Sequence, residues 1–461
     1  MTVEANTNAE ANLSGNVLSA LIAGMRTKAV SFSSASRGLL SIFDQAIVSG
    51  TSFLTAAIMG RLTSPEELGF YFFILSVIRF ASGIGSHVII APYMVYSKRR
   101  NGPELAEYAG SMWGHHFIST FIAGLGLVVA IAICQVLGKS SLLPGLWALL
   151  GAGPLLLLRE AIRRFTFANL QVRSAIALDT IVAILQLGGL TLLIYWGRLS
   201  LYSAYAVMGG SCLIASLSWL GLERPTIRLV PQRVLPDWQL NWSFGKWALR
   251  SYLVGDTSFY IALWLLSATS GAAATGILGA CDTIVGVMNV ILIGVGNVLT
   301  PLAASALASG GKKELQRVIF QAAVFLGITL GLFSLVAIFS GDWLVVAVFG
   351  SMYRGSGLVL ITMALAILMT ALNMCAGSGL WAIDQPRANF IADVCCLIVT
   401  LIAALLFIRP FGALGAAMTV LAGATAACAA RATVLARLLQ LDTSYPAAAP
   451  VHELPANRFE C

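Results

Sequence analysis

Charged side chains are scarce in this chain: Asp, Glu, Lys and Arg make up 10% of its 461 residues, against 58% hydrophobic residues and a mean hydropathy of +0.86. Ordinary soluble domains carry about 25% charged residues, so this chain has too little water-facing surface for a soluble globule of its size. Cysteine chemistry is missing too. Cys134, Cys212, Cys281, Cys375, Cys395, Cys396 and Cys428 lie in apolar runs and Cys461 ends the chain. Their spacing fits neither a metal site nor a disulfide framework, and small buried hydrophobes are the better reading. The absence of a G-x-x-x-x-G-K-[ST] run excludes nucleotide hydrolysis by that route. Nothing calls for a metal, a cofactor or a catalytic residue. A signal peptide is absent as well. The Ser- and Asn-rich start has Val17 to Met25 as its longest apolar stretch, too short to span and followed by no small-residue cleavage site. It reads as a frayed or interfacial helix.

What the chain does have is long apolar runs. A bilayer core about 30 Å thick needs roughly 20 helical residues, and runs of that length without period-two alternation select helices over a closed barrel. Twelve spans are expected, at 39–60, 69–96, 113–137, 145–162, 175–196, 201–221, 247–268, 276–308, 318–340, 357–379, 389–408 and 413–435. The fold class is all-α, a polytopic membrane protein.

The net charge of +8 does not point to nucleic acid, because the cations gather on one side of these spans. With both termini cytoplasmic, external segments hold Arg61, Lys139, Arg198, Arg354 and Arg409, and Arg79 lies inside a span. All other lysines and arginines fall on the cytoplasmic side, which is the positive-inside pattern. The Arg159, Arg163 and Arg164 cluster is read as part of that signal, with the gathering of anionic lipid headgroups as the alternative.

The two halves look like copies. Gly69 and Gly276 each open an even-numbered span that runs to a proline near its cytoplasmic end, Pro92 and Pro301. R-S-A-I-A-L-D from Arg173 matches R-A-N-F-I-A-D from Arg387 at both ends. Six spans per copy give both lobes the same orientation, related by an axis along the membrane normal, with the substrate path in the cleft between them. The expected division is a cytoplasmic segment 1–38, lobes 39–221 and 247–435, a linker 222–246, and a cytoplasmic tail 436–461. The linker, with three prolines, Trp238 and Trp242, reads as partly interfacial.

Polar residues inside the spans mark the lumen. Asp282, Gly286, Asn289, Gly296, Asn297 and Thr300 form one stripe at helical spacing. Asp44, Thr51, Ser52 and Thr55 do so in the first span, Ser76, Arg79, Ser82, Gly83 and Ser86 in the second, and Asp256 and Tyr260 in the seventh. A lone charge at a helix centre costs about 2.5–3.5 kcal/mol on insertion scales, so these groups should face protein or water. Arg79 can meet an anionic group on the substrate, since guanidinium suits phosphate geometry, or it can neutralise Asp256 or Asp282. Asp44, Asp256 and Asp282 are candidates to carry a coupling proton or cation, with local capping or pairing to Arg79 as the alternative. His87 reads as a satisfied lumen residue, with a proton relay as the alternative. Asp179 and Asp393 are expected to pair with Arg173 and Arg387.

Residues 56–80 read A-A-I-M-G-R-L-T-S-P-E-E-L-G-F-Y-F-F-I-L-S-V-I-R-F. Arg61, Ser64, Pro65, Glu66 and Gly69 in that order, followed by Pro92, resemble the opening signature of the polysaccharide synthase or oligosaccharide-lipid flippase family. That family sits within the multidrug/oligosaccharidyl-lipid/polysaccharide exporter superfamily. The resemblance implies two MATE-like six-helix lobes and alternating access. It implies movement of an undecaprenyl-diphosphate-linked oligosaccharide across the bacterial inner membrane, in the service of exopolysaccharide, capsule or O-antigen synthesis. Lipid-linked oligosaccharide, membrane lipids, and polysaccharide polymerase and export proteins are the implied partners. Family members are described with a cationic lumen, which Arg79 fits and from which Asp44, Asp256 and Asp282 depart. Substrate contacts are expected at Arg79, Ser82, Ser86, Asn289 and Asn297. Competing readings are a small-molecule or drug exporter of the same architecture, a membrane glycan polymerase or ligase, and a non-transporting assembly partner. The short external segments tell against the enzyme.

Overall fold

The computed structural model describes residues 40–41, 43–138, 143–223, 226–255 and 257–440. The expectations for the N-terminal segment, the C-terminal tail and Asp256 fall outside the described residues. The helices are α1 (43–62), α2 (Pro65–Gly85), α3 (Ala91–Tyr96), α4 (Gly102–Val136), α5 (Leu143–Ala168) and α6 (Val172–Tyr195). They continue as α7 (Leu201–Glu223), α8 (Pro231–Gly255), α9 (Thr257–Gly286), α10 (Asn289–Phe349), α11 (Gly357–Ala382) and α12 (Pro386–Gln440). A π turn at Ser86–Ile90 joins α2 to α3, ahead of Pro92, and there the Ala91 N–H reaches back five residues to the Ser86 carbonyl.

Three long helices turn a corner at a glycine: α9 at Gly271 (φ 84°), α10 at Gly311 (φ 66°) and α12 at Gly412 (φ 53°). Backbone there is close to glycine-only, since a Cβ at positive φ with extended ψ is strained. The corners fall between the seventh and eighth, eighth and ninth, and eleventh and twelfth expected spans. The chain is all-α and polytopic, with about twelve passes in two six-helix lobes. Phe121 of α4 and Phe339 of α10 are 73% and 87% exposed, as lipid-facing positions should be.

Two elements differ from expectation. The segment read as linker is helical from Pro231, because its polar residues are buried against α4 rather than left at the interface. Tyr108 donates to Asn241 Oδ1 at 2.6 Å, Arg100 pairs with Asp237 at 3.6 Å, and His115 Nε2 donates to the Val234 carbonyl at 2.7 Å. The eighth span, expected to be continuous, is broken at Val287 and Met288 between α9 and α10.

The lobes meet backbone to backbone at the end of the bundle opposite Lys98, Arg99, Arg100 and Lys312. Ser64 caps α2 by accepting from the Glu67 N–H at 3.2 Å, Pro65 takes the first turn, and Glu66 and Glu67 sit at the positive pole of the helix dipole. One turn later, a Cβ at Gly69 would overlap the Ala272 carbonyl oxygen, and a Cβ at Gly276 would overlap the Pro65 carbonyl oxygen. Pro65 stands to Gly69 as Ala272 stands to Gly276, so the contact is reciprocal, like an isologous interface within one chain. Beside it, Arg61 Nε donates to the Val348 carbonyl at 2.8 Å and Nη2 to that of Ala347, placing a cation on the C-terminus of α10.

We expect Gly69→Leu to force α2 and α9 apart and to cost about 1–3 kcal/mol, read as a lower thermal midpoint in detergent. Gly50→Ala, where a Cβ has no neighbour within 4 Å, should leave the midpoint unchanged or raised. Equal midpoints for Gly69→Leu and wild type would show that the crossing is loose.

Candidate functional site: polar cavities between the crossing and the basic end

Ten residues beyond Gly69 along α2, Arg79 projects into open space. One cavity of about 610 Å³ is lined by α1, α2 and the α9–α10 break, with Gln45, Ser52, Arg79, Asp282, Gly286 and Asn289 among its walls. A second, of about 360 Å³, shares Gln45, Ser52, Tyr71 and Arg79 with it and reaches between α5, α6 and α7. Arg79 is exposed, and no described carboxylate lies within ion-pair distance of it. The guanidinium keeps its fork of donors available. The half-buried Asp282 and the exposed Asn289, seven residues apart, line the same wall on either side of the α9–α10 break.

The floor of the smaller cavity is an ion chain. Arg163 Nη2 donates to Asp44 Oδ2 at 2.6 Å and Nε to Asp179 Oδ2 at 2.7 Å, while Arg159 Nη2 donates to Asp179 Oδ1. Glu160 then joins Arg159 at 3.4 Å and Arg164 at 2.8 Å. The Asp44 and Asp179 side chains are fully buried, so each needs its guanidinium.

These contacts correct two expectations. Asp179 pairs with Arg159 and Arg163 rather than Arg173, because positions six apart on a helix point to different sides whereas α5 lies alongside. Asp393 likewise pairs with Arg431 at 2.6 Å rather than Arg387. Arg159 and Arg163 turn into the lobe, where the buried carboxylates of Asp44 and Asp179 hold them, instead of serving only as a topology signal at the membrane surface.

A third cavity, of about 620 Å³, lies nearer the basic end and is walled by α8, α10, α11 and α12, with His87 at its edge. Arg431 is buried there. Its Nε donates to Asn389 Oδ1 at 2.8 Å, Nη1 to Asn373 Oδ1 at 2.6 Å, and Nη2 to Asp393 Oδ1 at 2.6 Å and the Asn389 carbonyl at 3.4 Å. His87 Nδ1 donates to the Gly83 carbonyl at 2.8 Å, and its ring stacks on Tyr252 at 4.7 Å. Sequence reasoning counted Arg431 among the cations of a helix end. The signal that could have found it is its place nine residues inside α12.

No family model and no curated protein matches the chain. Solved structures do. An inward-facing multidrug resistance MATE family transporter of the MOP superfamily superposes with a TM-score of 0.70 at 13% identity, over 86% of this chain and 94% of that one. The fold is the one such transporters share. The lipid II flippase MurJ, in an inward closed conformation, gives 0.64 at 11% identity over 86% of this chain and 87% of its own. An outward-facing MATE transporter gives 0.58 at 16% identity, over 87% of this chain and 95% of that one.

The remaining expected residues are dispersed. Ser82 lines the smaller Arg79 cavity and also an apolar groove beside α4, whereas Ser86 lines only that groove among these spaces and donates to the Ser82 carbonyl at 2.7 Å. Asn297 is exposed on α10 and does not line these cavities. Thr300 donates to Ser378 at 3.0 Å on the wall of the third cavity.

Removing one member of a buried ion pair strands its partner, so Arg163→Ala should cost about 3–5 kcal/mol. Adding Asp44→Asn and Asp179→Asn to that variant should recover much of the loss in detergent unfolding. A triple variant no more stable than Arg163→Ala would rule out charge stranding as the cause.

Proposed function

We propose that this protein is a secondary transporter of the flippase kind, moving undecaprenyl-diphosphate-linked oligosaccharide across the bacterial inner membrane for exopolysaccharide, capsule or O-antigen synthesis. The observation that carries this reading is the exposed guanidinium of Arg79 in the cavity between α1, α2 and the α9–α10 break, with no carboxylate partner among the described residues. A permanent cation is tolerated there only if water or an anionic ligand meets it, and a diphosphate offers oxygens that match its fork. Each sugar hydroxyl moved unpaired into hydrocarbon costs roughly 4–8 kcal/mol, so the glycan needs a polar path, whereas the isoprenoid tail can stay in lipid. The likeness to the lipid II flippase MurJ adds support at the level of fold.

On this reading the lobes are residues 39–221 and 247–435, joined by 222–246. The tails 1–38 and 436–461 are cytoplasmic, and polymerase and export proteins take up the product. Asn289 and Ser82 stand near Arg79 as substrate contacts, with Ser86 and Asn297 farther along the path. Asp282 shares a cavity with Arg79 and is the coupling candidate best placed to respond to substrate, alongside Asp44 and Asp256. Export of a small molecule is the second reading, favoured by the TM-score of 0.70 to a multidrug transporter. An exposed arginine on the cavity wall, with no partner among the described residues, disfavours cationic substrates there.

Arg79→Ala should reduce export about 10–100-fold at normal protein levels, with lipid-linked glycan accumulating, since a lost charge-assisted contact is worth about 1.5–3 kcal/mol. Arg79→Lys should restore part of the activity, as the charge returns without the fork. Unchanged polysaccharide export by Arg79→Ala would sink the diphosphate role. In proteoliposomes, Asp282→Asn should abolish the dependence of transport on a pH gradient; a retained dependence would move coupling to another group.

A further inference from the structure

We propose that the cavity walled by α8, α10, α11 and α12 is a pyranose-binding subsite, which holds the glycan of the lipid-linked substrate while Arg79 holds its diphosphate. The proposal rests on the flippase reading and adds to it a second, chemically distinct site.

The two sites differ in what their arginines have left to give. Arg79 has its donors free, whereas Arg431 directs four hydrogen bonds to Asn389, Asn373 and Asp393. A guanidinium has five N–H donors, so Arg431 is nearly saturated and cannot clamp a phosphate. Asp393 also balances its charge, and a carboxylate on the wall repels anions. A neutral ligand is what this cavity admits.

The saturated arginine fixes polar groups for such a ligand. By taking Asn373 Oδ1, Arg431 turns that amide so that Nδ2, which has no partner among the described residues, is a donor on the cavity wall. By taking Asp393 Oδ1 it leaves Oδ2 as an acceptor. Asn389 is spent on the frame, its Nδ2 donating to the Gly377 carbonyl at 3.2 Å. Donor and acceptor therefore stand on one wall, and Trp381, 57% exposed, supplies a broad apolar face on the same cavity. A pyranose has a rim of hydroxyls that both donate and accept, and a C–H face that packs on an aromatic ring. The volume of about 620 Å³ lies within the 300–1,000 Å³ usual for small-molecule sites.

The spacing suits one substrate spanning both sites. His87 edges this cavity and Arg79 lines the other, and their backbones stand eight residues apart on one helical run, a rise of about 12 Å. A short glycan joined directly to a diphosphate reaches across that gap.

The test uses the full chain in lipid nanodiscs with two probes: undecaprenyl diphosphate, and the glycosylated undecaprenyl-diphosphate lipids extracted from cells lacking this gene. The wild type should bind the glycosylated lipid about tenfold or more tightly than the bare one, the worth of one or two well-made polar contacts. Trp381→Ala and Asn373→Ala should erase that preference while binding undecaprenyl diphosphate as the wild type does, which also shows that they are folded. Trp381→Phe should keep most of it, and Arg79→Ala should weaken both lipids. Equal affinity of the wild type for the two lipids, or a preference that survives Trp381→Ala, would overturn the glycan subsite and leave the Arg79 reading standing. Failure of the wild type to bind either lipid would overturn the flippase reading and this subsite with it.

Discussion

A charged side chain inside a bilayer has to find either an opposite charge or water, and the structure is organised around how each of its intramembrane charges meets that demand. In the first lobe, Arg159, Arg163 and Arg164 alternate with Asp44, Asp179 and Glu160 in a chain that leaves no carboxylate alone. In the second, Arg431 is absorbed by two asparagines and Asp393. Arg79 is the exception among these, and its solution is the cavity itself. Among the described residues no carboxylate pairs with it, and the cavity gives it water instead.

The similarity of the two halves in sequence places a carboxylate in each, though it does not say how each is neutralised. Asp179 and Asp393 occupy matching places in the two halves, but the guanidinium reaches Asp179 from α5 and Asp393 from the last stretch of α12. The two carboxylates are thus neutralised from different helices. The two arginines also differ in setting: Arg79 faces a cavity walled by both lobes, and Arg431 is locked into a neutral frame within the second.

The helices were legible in the sequence because lipid removes the competition. Apolar length alone marks each span, and the three glycine corners fall where adjacent spans were separated. The functional wall was only partly legible. Arg79, Asp282 and Asn289 were found by helical spacing and do line one cavity. The ion chain was not found, since Arg159 and Arg163 sit near a helix end, where basic residues normally report topology. Only the three-dimensional approach of α1, α5 and α6 turns them inward. The helix break at Val287 left no Pro or unusual composition to betray it, and the linker looked interfacial because nothing in its sequence shows that Asp237 and Asn241 are buried on α4. The S-P-E-E-L-G run, whose resemblance pointed to the flippases, is itself structural: it caps α2 and seats it against α9.

That seat has a mechanical corollary. Gly69 and Gly276 each rest on a carbonyl of the opposite helix, and the two rests are images of one another about a single axis. A rocking motion that lifts α2 from Ala272 therefore lifts α9 from Pro65 in the same stroke. The seat closes only because both positions are glycine: a larger residue at either would wedge it ajar.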